Sequence, residues 1–467
     1  MARQRQIYAE AERRTNNICY AEALQYRWRV SGKYRNNRRK RWPERKYCLT
    51  CRAVKKYAYI FLLTLIALAA VSCSRDGMRT DEDGPYSDVF IYCALGYNNL
   101  NGYLLDNLED MKGGVLPERA RDKAVVAYCH NTLRGGGYDT PNPPVLLRLY
   151  RDEGRVHADT LKVYSERAVG ASADAIHEML LDVREMFPSE SYGMLFSSHA
   201  SGWIPVGYSP GGENPYVRTL AEFGPDPSVP LPLTKTMGAY YDGSASNSIE
   251  IDVQDFAAAI PMHLDYLILD ACMLGCVEVA WEFRNVCDMV AFSPTEVLAQ
   301  GFVYDTMVMN LLGGSSPDVE KVCREYFEQY DSKDDGLGRS ATVCLVDCSK
   351  LDRLASAFAA IIEDAGGNLP EIDRNSVQKY FYNSKMYYFY YDLRDLAAAL
   401  SPDPALLAEL DSALGDCVVY HAETPTFFNL ELERCCGLSV YFPSSSWPVL
   451  NGYYRTLGWN GAVRLLE

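Results

Sequence analysis

Long apolar segments are rare in this sequence of 467 residues. The only extended uncharged run covers residues 58–71, and a helix that spans a bilayer needs about 20 apolar residues. A protein with several membrane-spanning helices is therefore excluded. Hydrophobic residues still make up 48% of the chain, distributed in many short runs. That supply is enough for a large buried core, so a mainly disordered chain is excluded as well.

Positive charge is scarce outside the N-terminal region. Residues 1–72 carry 17 Lys and Arg against 4 Asp and Glu, a net charge of +13. The other residues carry 29 basic and 57 acidic groups, a net charge of −28. An acidic body repels phosphate groups, so we predict no nucleic-acid partner. The charge is compatible with cationic substrates.

Recognisable metal motifs are also lacking. Cys48 and Cys51 have the spacing of a ligand pair, but no second pair lies near them, which argues against a zinc site. No EF-hand spacing occurs among the acidic residues. We predict that no cofactor is required, and Ca²⁺ stays open. The later cysteines sit mostly in apolar runs without the spacing of a disulfide scaffold, so we expect buried thiols.

What the N-terminal region does contain is an export signal. Two lysines, Lys55 and Lys56, precede the apolar run 58–71, and small residues lead to Cys73. This order is typical of a secretory signal, and Ala-Val-Ser-Cys at 70–73 resembles a bacterial lipoprotein signal. We therefore predict a signal peptide at 54–73, acylation of Cys73, and a flexible tether at 74–86. The expected location is the bacterial cell envelope, lipid-anchored at the outer membrane or cell surface.

Residues 1–53 are too long for the charged start of a signal peptide. One interpretation is a misassigned start: if Val54 is encoded by GTG, translation begins there and 1–53 are an untranslated extension. The other interpretation is a genuine basic cytoplasmic arm followed by a membrane anchor. Recovery of any peptide from residues 1–53 by mass spectrometry would decide for the second.

Short apolar runs alternate with helical patterns over much of the chain. Most runs are continuous, as in strands covered on both faces. They lie at 88–95, 123–129, 145–150, 192–198, 264–270, 287–292 and 341–346. Helical patterns lie at 104–111, 172–187, 253–260, 277–284 and 317–330. This alternation predicts an α/β fold with a mostly parallel central sheet and helices on both sides.

The predicted domain organisation follows the same pattern. A core at 87–350 is interrupted by a long loop at 204–248, rich in Pro, Gly and Ser, and loops of this length are usually functional or disordered. Residues 351–467 are predicted as a helical C-terminal subdomain that contributes one late strand at 438–442.

Reactive side chains follow two of the predicted strands. Residues 194–203 (MLFSSHASGW) place His199 at a strand end, and residues 266–275 (YLILDACMLG) place Cys272 at another. Ligands of open α/β sheets bind beyond the carboxyl ends of the strands. If the two strands are neighbours, a thiol and the imidazole that activates it face each other. The backbone N–H groups of Cys272 and of the turn from Ala200 to Gly202 are candidates for an oxyanion hole.

Other readings of these residues stay open at this point. A cysteine or a histidine at a strand end is more often a packed core residue, and His130 follows the strand 123–129 in the same way. The Gly-Trp turn behind His199 favours His199 over His130. Asp270 lies two residues before Cys272 and so projects towards the same region, where a buried carboxylate would suit a Lys or Arg side chain.

Together the two segments resemble the clostripain family of cysteine peptidases, in the caspase-like clan. That family places its His in a segment like (S/D/N)HGxGW and its Cys in DAC(L/M)xG, and this chain has SHASGW at 198–203 and DACMLG at 270–275. Similarities in the same order cover about residues 88–460. They include YNNL at 97–100, SPTE at 293–296, GFVY at 301–304, YDLRDL at 391–396 and GLSVYFP at 437–443.

The resemblance implies a caspase-like α/β/α sandwich and cleavage of peptides after Arg or Lys by a Cys–His dyad. By carry-over, His199 is the general base, Cys272 the nucleophile and Asp270 the floor of the specificity pocket. One position departs from the pattern, since Ala200 stands where the family usually has Gly. If that position needs a positive φ, Ala200 is strained and the oxyanion-hole amide is displaced.

Members of that family are often activated by self-cleavage between the His and Cys segments. The only Lys or Arg residues between Trp203 and Asp270 are Arg218 and Lys235, of which we favour Lys235. The competing hypothesis is a catalytically inactive lipoprotein of the same fold that binds peptides or a surface partner. Acyl transfer to small amines or lipids would use the same Cys and His, but the position of Asp270 gives it no support.

Overall fold

A computed structural model of the chain describes residues 85–96, 100–119, 122–131, 142–165, 170–206, 208, 251–366, 372–381 and 389–467. All of them lie in one compact unit, 77–467. The predicted signal peptide, Cys73, most of the tether, and the candidate cleavage sites Arg218 and Lys235 lie outside the described residues. In the part of the chain that is described, no helix has the length and apolar character needed to cross a membrane.

The described chain alternates strands and helices. The strands are β1 (Asp88–Leu95), β2 (Lys123–His130), β3 (Val145–Asp152), β4 (Arg155–Val163), β5 (Tyr192–Ser197), β6 (Leu264–Asp270), β7 (Cys287–Phe292), β8 (Thr342–Asp347), β9 (Tyr391–Asp392), β10 (Val418–Glu423), β11 (Thr426–Phe427), β12 (Leu430–Glu431) and β13 (Ser439–Val440). The helices are α1 (Asn101–Gly113), α2 (Ala173–Met186), α3 (Val253–Ala259), α4 (Val277–Phe283), α5 (Tyr304–Leu312), α6 (Val319–Asp331), α7 (Leu351–Asp364), α8 (Leu393–Ala399), α9 (Pro404–Cys417), α10 (Pro448–Tyr454) and α11 (Gly458–Val463).

Nine strands form one central sheet, in the order β10-β8-β7-β6-β5-β1-β2-β3-β4. The five strands from β7 to β2 run parallel to one another. Antiparallel pairs extend the sheet on both sides, β7–β8–β10 on one and β2–β3–β4 on the other. The chain leaves β1 on one side to form β2 and returns on the other side at β5. A reversal of this kind opens a crevice at the carboxyl edge of a sheet, where α/β proteins bind ligands.

Local sequence explains where these elements begin. The middle strands are apolar throughout and are buried on both faces, as continuous strands in parallel sheets are. The helix α2 begins after Ser172, whose hydroxyl accepts a hydrogen bond from the Ala175 amide. The helix α9 has Asp403 as its N-cap and Pro404 in its first turn.

The helices pack in two groups, as the predicted sandwich requires. In one group α1 packs on α5 and α5 on α6, and in the other α2, α3 and α4 pack in succession and continue through α11 to α7 and α9. The α/β prediction is confirmed. The sequence did not predict the edge strands β4 and β10 or the helices α5, α10 and α11. The predicted late strand at 438–442 is shorter, and as β13 it pairs with β9 outside the central sheet.

Candidate active site

The two strands that carry the predicted dyad are neighbours. β5 pairs with β6 in parallel, and Ser197 stands opposite Asp270 at the end of the shared register. The Ser197 hydroxyl donates a hydrogen bond of 2.8 Å to the Asp270 carboxylate, so these two side chains face the same side of the sheet. His199 and Cys272 each follow two residues later. Both residues therefore lie beyond the carboxyl ends of two neighbouring strands.

The turns that follow the two strands also touch each other. We call residues 198–203 the His turn and residues 271–276 the Cys turn. Gly202 in the His turn has a φ of +67°, and a Cβ atom there would lie 2.6 Å from the carbonyl oxygen of Met273 in the Cys turn. Only glycine permits this approach of two backbones. The glycine of the Gly-Trp pair thus brings the His turn onto the Cys turn.

Aromatic side chains from the C-terminal part of the chain support the His turn. Trp203 is fully buried, with its ring 4.8 Å from that of Tyr441 and 5.0 Å from that of Tyr454. The Tyr390 hydroxyl donates a 2.6 Å hydrogen bond to the carbonyl oxygen of Ser201. Burial, with the nearby Cys276 and Glu278, raises the pKa of Tyr390 well above its ordinary value, so the hydroxyl keeps its proton.

Cys272 itself is fully buried, and His199 is 8% exposed. The backbone N–H of Val297 donates to the Cys272 sulfur over 3.1 Å, and the thiol lies 3.6 Å from the carbonyl oxygen of Val297. A peptide carbonyl therefore has no open path to the sulfur in this state. A substrate can reach Cys272 only after the surrounding chain moves.

Asp270 is fully buried at the end of β6. Its carboxylate accepts hydrogen bonds from the hydroxyls of Ser197 and Tyr304. Tyr304 begins α5, and its ring meets that of Tyr92 on β1 edge to face at 5.5 Å. Two hydroxyls therefore hold the predicted pocket carboxylate in place, one from a neighbouring strand and one from a helix.

The backbone of Ala200 does not adopt the left-handed conformation that would require glycine. It is not among the described residues with positive φ, whereas Gly202 and Met273 are. The left-handed conformations of the site therefore fall on the two residues where the turns meet. The replacement of Gly by Ala at position 200 carries no backbone strain in this structure.

His130, the competing histidine, ends β2 at the same edge of the sheet, but β1 lies between β2 and β5. It is 2% exposed, and burial lowers its pKa to about 4. Its ring packs directly against Gly170, where a Cβ atom would lie 2.5 Å from Nδ1. His130 is a packed histidine at the rim of the site.

Two buried carboxyl groups near the site were not predicted. Glu278, in the first turn of α4, accepts hydrogen bonds of 2.9 Å from the Tyr441 amide and the Tyr454 hydroxyl, and burial raises its pKa to about 7. Glu296 precedes Val297 and is also fully buried. Acidic residues in the first turn of a helix are usually exposed. The sequence around Glu278 therefore does not indicate that this side chain is buried.

A metal-binding group or a disulfide among the described residues would change the chemistry of the site. Among the described residues, no group of three or more His, Cys, Asp or Glu is arranged to hold a metal ion. The cysteines of the described ranges form no disulfide, and nearly all of them are buried. The carboxyl edge of the sheet carries the thiol of Cys272 and the imidazole of His199, the kinds of group that acyl transfer through a thioester uses, and the buried carboxylate of Asp270.

Comparisons with known proteins point to the class that this fold and site define. A secreted C11 cysteine protease from Bacteroides thetaiotaomicron, iotapain, has a solved structure that matches with a TM-score of 0.64 and 23% identity, over 81% of this chain and 99% of that one. An inactive zymogen C11 protease from Parabacteroides distasonis matches with a TM-score of 0.64 and 24% identity, over 81% of this chain and 97% of that one. At these identities the likeness establishes the fold.

The structure of a secreted C11 cysteine protease from Bacteroides thetaiotaomicron in complex with an irreversible peptide inhibitor also matches, with a TM-score of 0.64 and 20% identity, over 81% of this chain and 99% of that one. The sequence model of the clostripain family matches residues 232–402. No curated protein sequence matches the chain. The fold and the family match together support a cysteine peptidase. The resemblance to the clostripain family is confirmed.

Proposed function

We propose that this protein is a cysteine endopeptidase that cleaves peptide bonds after Arg or Lys. The observation that supports the proposal is the pairing of β5 with β6, whose register ends on Ser197 and Asp270, two residues before His199 and Cys272. The family match and the fold support the reaction class. We propose in addition the preference for Arg or Lys, the His199–Cys272 dyad and the location at the cell envelope.

His199 and Cys272 divide the chemistry between them. His199 takes the proton of the Cys272 thiol, and the sulfur attacks the scissile carbonyl carbon. The resulting oxyanion is stabilised by the backbone N–H groups of Cys272 and Ala200. The imidazolium of His199 gives its proton to the leaving amine as the C–N bond breaks, which leaves a thioester. Water, deprotonated by His199, then attacks the thioester carbonyl and releases the acid product and the thiol.

Asp270 supplies the preference for a basic residue. Its carboxylate is buried beside the nucleophile, and a Lys or Arg side chain would bring further donors to oxygens that Ser197 and Tyr304 already orient. A charged pair in a site of low dielectric discriminates strongly, because a neutral side chain leaves the carboxylate without its partner.

Activation by cleavage agrees with the buried state of Cys272. Because the sulfur is covered, the uncut chain has to rearrange before it can accept a substrate. Self-cleavage after Lys235, or after Arg218, would cut the chain between the His turn and the Cys turn, and we favour Lys235. Acylation of Cys73 would hold the enzyme at the cell envelope, where protein and peptide substrates would be its partners.

Fluorogenic peptides ending in Arg or Lys test the activity. We expect the processed protein to hydrolyse them, a thiol alkylator to stop the reaction, and Cys272→Ala to abolish it. Cys276→Ala is the matched control, because it removes another buried thiol of the same turn and should stay active. An active Cys272→Ala variant, or a folded and processed wild type without turnover, would overturn the proposal in favour of a binding protein on the same fold.

The self-cleavage site has a separate test. Purified wild-type protein should convert to two fragments whose new N-terminus is Thr236, and Lys235→Ala should stay intact. Cys272→Ala should also stay intact when it is incubated alone. Persistence of one wild-type band under all reducing conditions would contradict self-processing.

A further inference from the structure

The sulfur of Cys272 is held by a segment that follows much later in the chain. We call residues 293–297 the clamp segment. Its Val297 N–H donates to the Cys272 sulfur at 3.1 Å, which is closer than the 3.6 Å between that sulfur and the Val297 carbonyl oxygen. The shorter contact comes from a donor, and a hydrogen bond donated to sulfur favours the thiolate over the thiol.

The clamp segment also fixes the backbone of the Cys turn. The Met273 amide donates to the Thr295 carbonyl oxygen and the Gly275 amide to the Ser293 carbonyl oxygen, each over 2.8 Å. These two bonds hold Met273 at a φ of +62°, a left-handed conformation that costs about 1–3 kcal/mol in a non-glycine residue. The strained turn keeps its shape because the clamp segment is bonded to it.

Gly275 allows this close approach. A Cβ atom at that position would lie 2.3 Å from the Pro294 nitrogen and 2.5 Å from the Ser293 carbonyl carbon. No side chain fits between the two backbones. The contact between the Cys turn and the clamp segment therefore leaves no room for a side chain, and the position of the clamp segment determines the position of the sulfur.

One side chain outside both segments holds the clamp segment. Thr342, the first residue of β8, is 1% exposed. Its hydroxyl oxygen lies 2.8 Å from the Ser293 hydroxyl and 2.8 Å from the Thr295 hydroxyl, and it accepts from the Thr295 amide at 3.1 Å. One hydroxyl has one proton to donate and two lone pairs, so these three contacts use its full capacity.

We propose that Thr342 is a positioning residue for the nucleophile, which holds the clamp segment so that the Val297 amide donates to the Cys272 sulfur and stabilises its thiolate. The proposal rests on the proposed function for the role of Cys272 as nucleophile. Thr342 does not touch the sulfur. It acts through Thr295 and Val297, across 70 residues of sequence from the nucleophile.

The test measures how the alkylation rate of Cys272 by iodoacetamide depends on pH. Because the sulfur is covered in the uncut chain, each variant is first cut in the loop between the His turn and the Cys turn by limited treatment with trypsin, which does not depend on the protein's own activity. Tandem mass spectrometry separates label on Cys272 from label on Cys276 in the same peptide. In Thr342→Val, which keeps the shape and removes the hydroxyl, we expect the midpoint of the rate profile to rise by about one pH unit. At pH values below the midpoint, kcat for peptide hydrolysis should be about tenfold lower in Thr342→Val than in the wild type, and KM should change less than twofold.

Two further variants separate positioning from packing. Thr342→Ser keeps the hydroxyl and should restore the wild-type midpoint. Thr424→Val is the matched control: the Thr424 hydroxyl bonds the backbone of Ala341, next to Thr342, but makes no contact with the clamp segment. It should leave the midpoint unchanged. If Thr342→Val does not fold, Thr295→Val, which removes the hydroxyl contact from the other side, should raise the midpoint in the same direction.

An unchanged midpoint in a folded Thr342→Val or Thr295→Val would overturn the inference. So would an equal shift in Thr424→Val, since that would reduce the effect to general loosening. The alkylation readout needs no substrate. Suppose that the wild type does not hydrolyse peptides but the alkylation midpoints of the variants shift as predicted. That result would contradict the peptidase proposal and support the role of Thr342.

Discussion

The His turn and the Cys turn meet at one point but are held by different forces. The His turn rests on the packing of Trp203 between aromatic rings and on side-chain hydrogen bonds, from the Tyr390 hydroxyl to Ser201 and from the Ser198 hydroxyl to Leu95. The Cys turn is bonded through its own backbone to the clamp segment. Packing tolerates small displacements, whereas a ladder of hydrogen bonds fixes distances closely. We infer that the sulfur is the fixed member of the pair and the imidazole the adjustable one.

We expect the largest effect from removing the Trp203 side chain, which supports the His turn but not the Cys turn. Trp203→Ala leaves a large cavity between Tyr441 and Tyr454, and we expect unfolding to become easier by about 4 kcal/mol. Hydrolysis should fall with it, because the support of His199 is lost. Chemical denaturation and peptide hydrolysis measure the two losses. Unchanged hydrolysis in the folded Trp203→Ala variant would show that the packing of Trp203 does not place His199.

Glu278 connects the supports of the His turn and the Cys turn, so a change there tests whether the two turns are held independently. It lies on the helix after the Cys turn and bonds Tyr441 and Tyr454, which pack on Trp203 of the His turn. Burial raises its pKa from 4.5 to about 7, and among the described residues no Lys or Arg pairs with it. The other titratable groups that face it, Cys276 and the tyrosines 390, 441 and 454, have pKa values raised by burial and stay neutral below pH 8.

Because the folded pKa of Glu278 lies above its unfolded value, its contribution to stability is complete below pH 4.5 and is lost as the pH rises through 7. Glu278→Gln keeps an acceptor for both bonds and cannot ionise. We expect the variant to gain roughly 3 kcal/mol of stability relative to wild type between pH 5 and pH 8. Chemical denaturation at several pH values measures this. A difference that does not vary with pH would show that Glu278 does not titrate in the folded state.

The smallest expected effect concerns Tyr390. Tyr390→Phe keeps the ring and removes one hydrogen bond to the His turn, so stability should fall by about 1 kcal/mol. We expect kcat to drop severalfold with KM nearly unchanged, since the loss acts on the placement of His199. Tyr380→Phe, whose hydroxyl bonds Asp392 away from the His turn, is the control for a buried tyrosine hydroxyl. An equal fall in kcat there would remove the special role of Tyr390.

Sequence predicted the middle of the fold better than its edges, for a physical reason. β1, β6 and β7 begin and end where their mainly apolar runs do, because the middle strands of a parallel sheet are largely buried on both faces. β4 is largely exposed and carries Arg155, Asp159 and Lys162, so it has no apolar run to find. β10 is also half-exposed. The helix α5 does bury one face, with Tyr304, Met307, Val308 and Leu311 at helical spacing, but it has only nine residues and its pattern is short.

The same distinction applies to the site. His199 and Cys272 could be predicted because each stands where an apolar run ends, and strand ends meet at one edge of a parallel sheet. The clamp segment and Thr342 could not be predicted. Their effect depends on hydrogen bonds between residues 25 to 49 positions apart, and Ser, Thr and Val are ordinary residues that carry no signal of such a role. The strained conformation of Met273 likewise has no sequence signature.

The late position of the supporting residues has a consequence for the order in which the protein is made. Ser439 bonds the Gly275 carbonyl oxygen, and Tyr441 and Tyr454 enclose Trp203. A nascent chain in which residues 439–454 have not yet emerged from the ribosome contains both reactive side chains but none of these contacts. The two turns therefore gain these contacts only after the last 30 or so residues of the protein have been made.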